Sequence, residues 1–476
     1  MTDGDFGLLS PVSASRAVAA LTGDRAVIAA ILDVEAAWAV VLEEAGLVPA
    51  GSGPVVAEAA NPGSYDVAAI AERAQGGGNP VIPLLGDLRA RVKSVDSFAV
   101  TAVHTSLTSQ DVLDSALMLL ASRTISALLA DVKRTTTALA ILAGQHADTL
   151  CVGRSLTQHA LPYTFGLKAA QWFHGVAAAA AQLESLELPI QFGGAGGTLA
   201  SATKLTASSR TTPFDLADSL ASKLGLATAP APWHTNRLAV TSLGDGLAAL
   251  IDSFGKIAAD LLFLSRPEVA ELGEPLAAGR GVSSAMPQKQ NPVLSVLIRS
   301  AALQAPGLAS QLHLAAATFN DERPDGAWHS EWPALRQLLA LALGAAGHLR
   351  ELTEGLRVFP EAMRRNLEIS GPLLLSEGVM AAVVPLLGPD GKQKLQNVVD
   401  ETLKAPAAEQ SRIYTKLLRE AVPADKLSDT QLEALLDPAS YLGEAAEITR
   451  RILAAYPDYA RSAASDSPTT KGATRG

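Results

Sequence analysis

From Val112 to Ala143 the chain runs more than thirty residues without a glycine or proline. Apolar residues recur along it at helical spacing, among them Leu119, Ile125, Leu128, Leu129, Val132 and Leu139. This predicts one helix far longer than the globular average of about 11–12 residues. Such a helix cannot bury its apolar stripe inside a small domain, so it needs partners of its own kind. Comparable patterns occupy 160–187, 238–266, 292–317 and 330–356. The chain is 48% hydrophobic but only 4% aromatic, a mixture rich in Ala and Leu that suits close-packed helices better than sheets. The expected fold is all-α, an elongated three-part subunit whose central long-helix bundle packs against copies of itself.

Local signals divide the 476 residues. An N-terminal helical segment, 1–107, opens with a helix over Asp24 to Glu44. There Val27, Ile28, Ile31, Val34 and Ala37 keep helical spacing and Gly46 is the stop. The long-helix segment spans 108–357. Shorter helices follow over 358–456, with breaks at Gly371-Pro372, Gly388-Pro389-Asp390-Gly391, Pro406, Pro423 and Pro438. Residues 457–476, small and polar with a basic end, are expected to be disordered. The run from Gly193 to Gly197 lacks a Walker lysine and a preceding strand, so it reads as a close backbone crossing.

Several function classes fall away. A net charge of −10 and a pI near 5.4 argue against a broad nucleic-acid footprint, though not against a local cationic site for an anion. The single Cys151 excludes an internal disulfide and suggests a reducing compartment. Met1-Thr2-Asp3-Gly4-Asp5 is acidic where a signal peptide is basic. The longest apolar stretches are broken before about 18 residues, so no membrane span and a cytoplasmic location are expected. None of the eight histidines stands in a zinc-type spacing with Cys or carboxylate, so no metal site is expected. With no nucleotide fingerprint either, no cofactor is expected.

Three polar clusters remain. Residues 281–292, Gly-Val-Ser-Ser-Ala-Met-Pro-Gln-Lys-Gln-Asn-Pro, are punctuated by Gly281, Pro287 and Pro292 and form a shaped loop. This loop gathers Ser283, Ser284, Lys289 and Asn291, the hydroxyl, ammonium and amide groups needed to hold a carboxylate and move a proton beside it. His104 precedes Thr108-Ser109-Gln110-Asp111, where Ser109 suits an N-cap and Asp111 the first helical turn. A helix start with two hydroxyls can cradle a carboxylate, although capping hydroxyls alone are commonplace. The third cluster runs from Gly153 to His159. Its Arg154 and Gln158, four apart, share a face if the segment is helical, and by themselves equally suit a surface pair. Only the coincidence of all three clusters points to a composite site.

The loop matches in full the S-S-x-M-P-x-K-x-N signature of the fumarase/aspartase superfamily. His104 with Thr108 to Asp111 resembles that superfamily's first region, and Gly153-Arg154-Ser155 with Gln158 its second. Within the superfamily the chain looks most like the bacterial 3-carboxy-cis,cis-muconate cycloisomerases, and the similarity runs over nearly its whole length. It takes in Pro232-Trp233-His234-Thr235 with Arg237, and Trp328 to Trp332.

The resemblance implies an enzyme acting on a small tricarboxylate, without a cofactor, in aromatic catabolism. It also implies a homotetramer with a tetrameric helical core, whose sites draw on three of four subunits. Ser283 then occupies the proton-transfer position, with Lys289 and His104 as further catalytic candidates. Lys289, Asn291, Thr108 and Ser109 are expected at the stabilised carboxylate, with Ser284 a further substrate-binding residue. Arg154, Gln158 and Arg323 are expected at the others. His159, like His104, is a candidate proton partner or an orienting group. Leu156 stands where fumarate-forming members carry His, and Val296 where they carry Glu, which favours a cycloisomerase. Ser106-Leu107 in place of the usual Gly-Ala points to an altered substrate fit. The alternatives are a lyase releasing fumarate or a related diacid, adenylosuccinate-lyase-like or nitrosuccinate-lyase-like, and a non-catalytic helical scaffold.

Overall fold

A computed structural model describes residues 7–461. It is predominantly helical, with helices at Asp24–Glu44, Ser109–Gln145, Phe165–Glu184, Leu238–Leu264, Val293–Ala316 and Gly326–Glu354. The gap-free pattern is one helix of 37 residues. Two compact units emerge. One takes the described residues within Met1–Val132, Ala179–Gly255 and Leu297–His348, and the other those within Lys133–Ala178, Lys256–Val296 and Leu349–Gly476. Each long helix other than Asp24–Glu44 therefore shares its residues between both units, and neither unit is one stretch of sequence.

In the first unit the Asp24–Glu44 helix buries Ile28, Ile31, Leu32, Trp38 and Leu42, an apolar stripe at helical spacing. Trp38, Val41 and Leu42 pack with Ile190, Phe192, Leu216 and Leu220. The Trp38 and Phe192 rings lie 5.0 Å apart, tilted by 56°. One charged residue, Glu35, stands in that stripe and is fully buried.

The second unit holds both small sheets found among the described residues. Strand β1 (Leu150–Ser155) pairs antiparallel with β2 (Gln158–Thr164), and β3 (Leu272–Gly273) with β4 (Arg357–Val358). Beyond Pro360 the short helices end or begin at the residues that punctuate the sequence. Leu375, Val379, Val383, Leu395, Tyr414 and Leu418 form their core. Cys151 is buried on β1, and burial pushes its thiol up to about 12, so it is an inert apolar residue.

Four expectations need correcting. Residues 158–164 are strand rather than the start of a helix; helix begins only at Phe165. Thr108, not Ser109, precedes the first helical residue, and its N–H donates to Asp111 three positions on. Pro457–Ala460 is a helical turn, because Pro457 presets the first helical φ, so the tail is not unstructured from 457. Residues 462–476 lie outside the described residues. Finally, three segments are long and apolar enough to cross a membrane by length and composition: Ser109–Gln145, Val293–Ala316 and Pro360–Leu387. Isolated charges do not disqualify an otherwise apolar window. In Ser109–Gln145, 72% of the apolar window is buried inside the protein, where packing accounts for it.

Candidate active site

The Ser109–Gln145 helix begins at a carboxylate hub in the first unit. Asp111 Oδ2 accepts the Thr108 and Gly194 N–H groups at 3.0 and 2.9 Å, and Oδ1 accepts the Gly193 N–H at 2.9 Å. His234 Nε2 lies 2.8 Å from Oδ1. Four donors thus converge on one buried carboxylate, which fixes the helix start against the glycine run. That run is a close crossing: a Cβ on Gly193 would come within 2.7 Å of the His234 ring. With Asp111 holding the backbone, the Thr108 hydroxyl is left to face a cation. Arg323 Nη1 donates to Thr108 Oγ1 at 2.6 Å. The structure therefore brings together two residues 215 positions apart that the sequence offered separately. Ser109 is the first helical residue and half-exposed beside them.

His104 sits just upstream, its Nδ1 2.7 Å from Glu35 Oε1. His104 (φ 61°) and Ser106 (φ 65°) both adopt the left-handed conformation, which costs a non-glycine residue about 1–3 kcal/mol. The Ser106 hydroxyl lies 3.0 Å from that of Ser201.

A buried ion network lies behind this cluster. Arg237 donates to both oxygens of Asp114, at 2.8 and 3.0 Å, and to Glu331 at 2.7 Å. Its guanidinium stacks 4.8 Å from the Trp233 ring and 5.0 Å from Phe319. Trp328 Nε1 and Gln110 Nε2 also donate to Asp114. Burial raises the Glu331 pKa, although Arg237 pulls against it. Glu35, Asp114, His234 and Glu331 were not identified from sequence as site-supporting residues. For Glu35 a signal existed, a lone carboxylate within an apolar stripe.

In the second unit, Gly153 to His159 is a β-hairpin, which corrects the helical-face reading of Arg154 and Gln158. Ser155 pairs with Gln158 across a two-residue tip, Leu156-Thr157. Both tip residues have positive φ, 48° and 72°, as the primed hairpin turns with their Asn-Gly preference require. Neither Leu nor β-branched Thr suits that conformation. Replacing the pair by Asn-Gly is therefore expected to stabilise the protein by about 1–2 kcal/mol. Leu156 is 94% exposed, so little packing would be lost. Thermal denaturation checks this, and an unchanged or lower Tm would show that the tip is not strained.

Arg154 turns inward. It donates to both oxygens of Glu271, at 3.3 and 2.5 Å, and Glu271 also accepts from Asn366 Nδ2 at 2.8 Å. Its charge is thus paired with a buried carboxylate and held in one orientation. His159 Nδ1 lies 3.0 Å from Ser370 Oγ. Burial first, and then the Arg154 charge, lower its pKa, so it is neutral near pH 7. Among the described residues the Gln158 side chain reaches only its neighbour Thr157.

The 281–292 loop is pinched at its base. Asn291 N–H donates to the Gly281 carbonyl at 2.8 Å, Val282 bridges to Gln290, and Gln290 Nε2 donates to the Arg280 carbonyl at 2.7 Å. Gly281 has φ 68°, and a Cβ there would strike the Asn291 carbonyl, so the pinch requires glycine. Buried Glu274 anchors the exit, accepting the Leu294 and Ser295 N–H groups at 3.1 and 2.7 Å at the start of the next helix.

Above the pinch, Ser283 Oγ accepts the Ala285 and Met286 N–H groups at 3.3 and 3.1 Å. Ser284 and Lys289 are exposed and Asn291 half-exposed. Backbone amides, not Lys289, face the Ser283 oxygen, which corrects the picture of a loop whose side chains gather on one another. Among the described residues no group of three His, Cys, Asp or Glu is placed to hold a metal ion.

A family profile described as Lyase matches residues 83–307. Nitrosuccinate lyase of Streptomyces davaonensis is 42% identical over 94% of this chain and 94% of its own. The 3-carboxy-cis,cis-muconate cycloisomerase of Bradyrhizobium diazoefficiens is 37% identical over 94% of this chain and 97% of its own. The crystal structure of 3-carboxy-cis,cis-muconate lactonizing enzyme from Pseudomonas putida matches with a TM-score of 0.84 at 32% identity, covering 95% of this chain and 100% of that one. The chain belongs to the fumarase/aspartase superfamily.

Proposed function

We propose that this enzyme cyclises 3-carboxy-cis,cis-muconate, a small tricarboxylate, to a carboxymuconolactone. The observation that carries the reading is the Ser283 hydroxyl, whose oxygen accepts two backbone N–H groups inside the complete signature loop. A serine is a poor proton carrier in water, and fixed donors at its oxygen favour the alkoxide it must pass through. In the reaction one carboxylate oxygen adds to a conjugated double bond. The π electrons move toward a second carboxylate as an enediolate, and the carbon beside it takes a proton. Thr108, Ser109, Asn291 and Lys289 are the donors for that developing charge. Arg323 serves a remaining carboxylate, with Gln158 and Ser284 beside the substrate, while Arg154, its charge already paired with Glu271, offers only its remaining N–H groups. Leu156 and Val296 cannot exchange protons, which fits a reaction whose nucleophile is the substrate's own carboxylate.

The 42% identity to a nitrosuccinate lyase favours a second reading, in which a nitro-dicarboxylate loses nitrite from one carbon and a proton from the neighbouring carbon, α to the other carboxylate, to form a C=C bond. Both reactions pass through the same kind of carboxylate-stabilised carbanion. Incubating the protein with each compound separates them. Loss of the conjugated-diene absorbance of carboxymuconate supports the cycloisomerase. Nitrite release supports the lyase, and neither change rejects both.

We further propose a cytoplasmic homotetramer with shared sites. On the Val293–Ala316 helix, Val296, Leu303 and Leu314 are 49%, 70% and 62% exposed. At about 100° per residue they form one apolar stripe, suited to a second copy. Mixing and reassembling Ser283→Ala with Thr108→Val/Ser109→Ala should restore activity in a minority of sites. Hybrids that form and stay inactive would reject sharing.

A further inference from the structure

Two histidines of the first unit, His234 and His104, sit on buried carboxylates that are used differently. His234 is buried on Asp111, a carboxylate that already takes three backbone N–H groups. Both oxygens of Asp111 are thus filled and read as architecture, although the far nitrogen of His234, Nδ1, is buried with no partner among the described residues and has no route to solvent. Glu35 is different. It is fully buried, its Oε1 has His104 Nδ1 as partner, and its Oε2 has none among the described residues. A carboxylate kept for structure normally fills both oxygens, and an unfilled one calls for another reason.

Its helix grips the same segment a second time. Trp38, one turn on, donates from Nε1 to the Thr105 carbonyl at 2.8 Å. Two consecutive residues are thereby clamped from one helix face, and His104 is kept in its left-handed conformation four residues before Thr108. The far ring nitrogen, Nε2, makes no hydrogen bond among the described residues and is not among the sealed atoms. The His104 side chain is 13% exposed. One ring nitrogen is thus tied to a buried carboxylate and the other remains open, an arrangement that sets the tautomer and leaves a single acceptor.

We infer that Glu35 is a positioning residue that fixes His104 as the group through which the site, with Ser283 as its proton carrier, exchanges the reaction proton with water. The inference rests on the proposed addition–elimination reading. In the cyclising direction a C–O bond forms, one C=C π bond is lost, and carbon gains one proton from the site. The site must recover that proton from water, and His104 Nε2, replenished while Nδ1–H stays on Glu35, passes it in. In the elimination direction the proton travels the opposite way.

The test compares wild type with Glu35→Gln, His104→Gln and the double variant, using whichever of the two substrates the wild type turns over. A glutamine keeps the shape, but its NH2 can donate to Nδ1 and so release the other tautomer. Expected are a tenfold or greater loss of kcat in Glu35→Gln with KM within twofold, and a double variant no worse than His104→Gln alone. Ring-15N NMR of labelled histidine, without substrate and at a pH where the ring is neutral, should show His104 as Nδ1–H in wild type and shifted toward Nε2–H in Glu35→Gln. A Glu35→Gln enzyme with kcat within twofold of wild type overturns the inference. So does an unchanged tautomer, or losses that add in the double variant. Should the wild type turn over neither compound, the substrate reading fails, while the tautomer still decides whether Glu35 positions His104.

Discussion

Ser283→Ala is expected to lower kcat on 3-carboxy-cis,cis-muconate by a hundredfold or more, about 3 kcal/mol of barrier, without changing the fold. The side chain lies on an exposed loop, and among the described residues its oxygen accepts N–H groups only from Ala285 and Met286. Removing it deletes the proton carrier while those amides return to water, so stability should move little. The loop stays pinched by Gly281, Gln290 and Asn291, which the substitution does not touch. Lys289→Met should raise KM and lower kcat together, since an exposed cation meets the substrate in both ground and transition state. Steady-state kinetics with matched thermal scans check both variants. A Ser283→Ala enzyme keeping more than a tenth of wild-type activity would remove Ser283 from the chemistry.

Arg237→Leu should be the most damaging change for stability, by about 3–5 kcal/mol. Asp114 and Glu331 would be left buried with their shared cation gone, and the aromatic stack of Trp233 and Phe319 would lose its centre. Much of that loss is the cost of stranded carboxylates. An Arg237→Leu/Asp114→Leu/Glu331→Leu variant should therefore recover part of it. Urea denaturation measures the effect. A loss below 1 kcal/mol in the single variant would mean that water or rearrangement satisfies the two carboxylates.

The parts of this molecule legible in sequence are those set by local periodicity and local composition. The Ser109–Gln145 helix announces itself because apolar residues keep helical spacing from Val112 to Ala143 with no glycine or proline to interrupt them. The 281–292 loop does so because its glycine and prolines leave no regular alternative. The β-hairpin was hidden for a physical reason: its tip is Leu156-Thr157, without the Asn or Gly that marks such turns, and its strands sit beside a genuine helix pattern. Glu35 and His104, 69 residues apart, and Asp111 and His234, 123 apart, meet only through tertiary packing. Periodicity marks which face is buried and says nothing of which distant group a buried charge will meet. The same limit applies to Arg154. Sequence offered it as a free cation, and the fold pairs it with Glu271.

The central claim is that the site protonates carbon beside a carboxylate while another carboxylate closes a ring. Running the reaction on 3-carboxy-cis,cis-muconate in D2O and reading the product by NMR tests this directly. A carboxymuconolactone carrying one deuterium, at the ring-external or ring carbon flanking a carboxylate and with one stereochemistry, is the predicted result. Unchanged carboxymuconate, or a lactone with no deuterium or with label scrambled between faces, would contradict it.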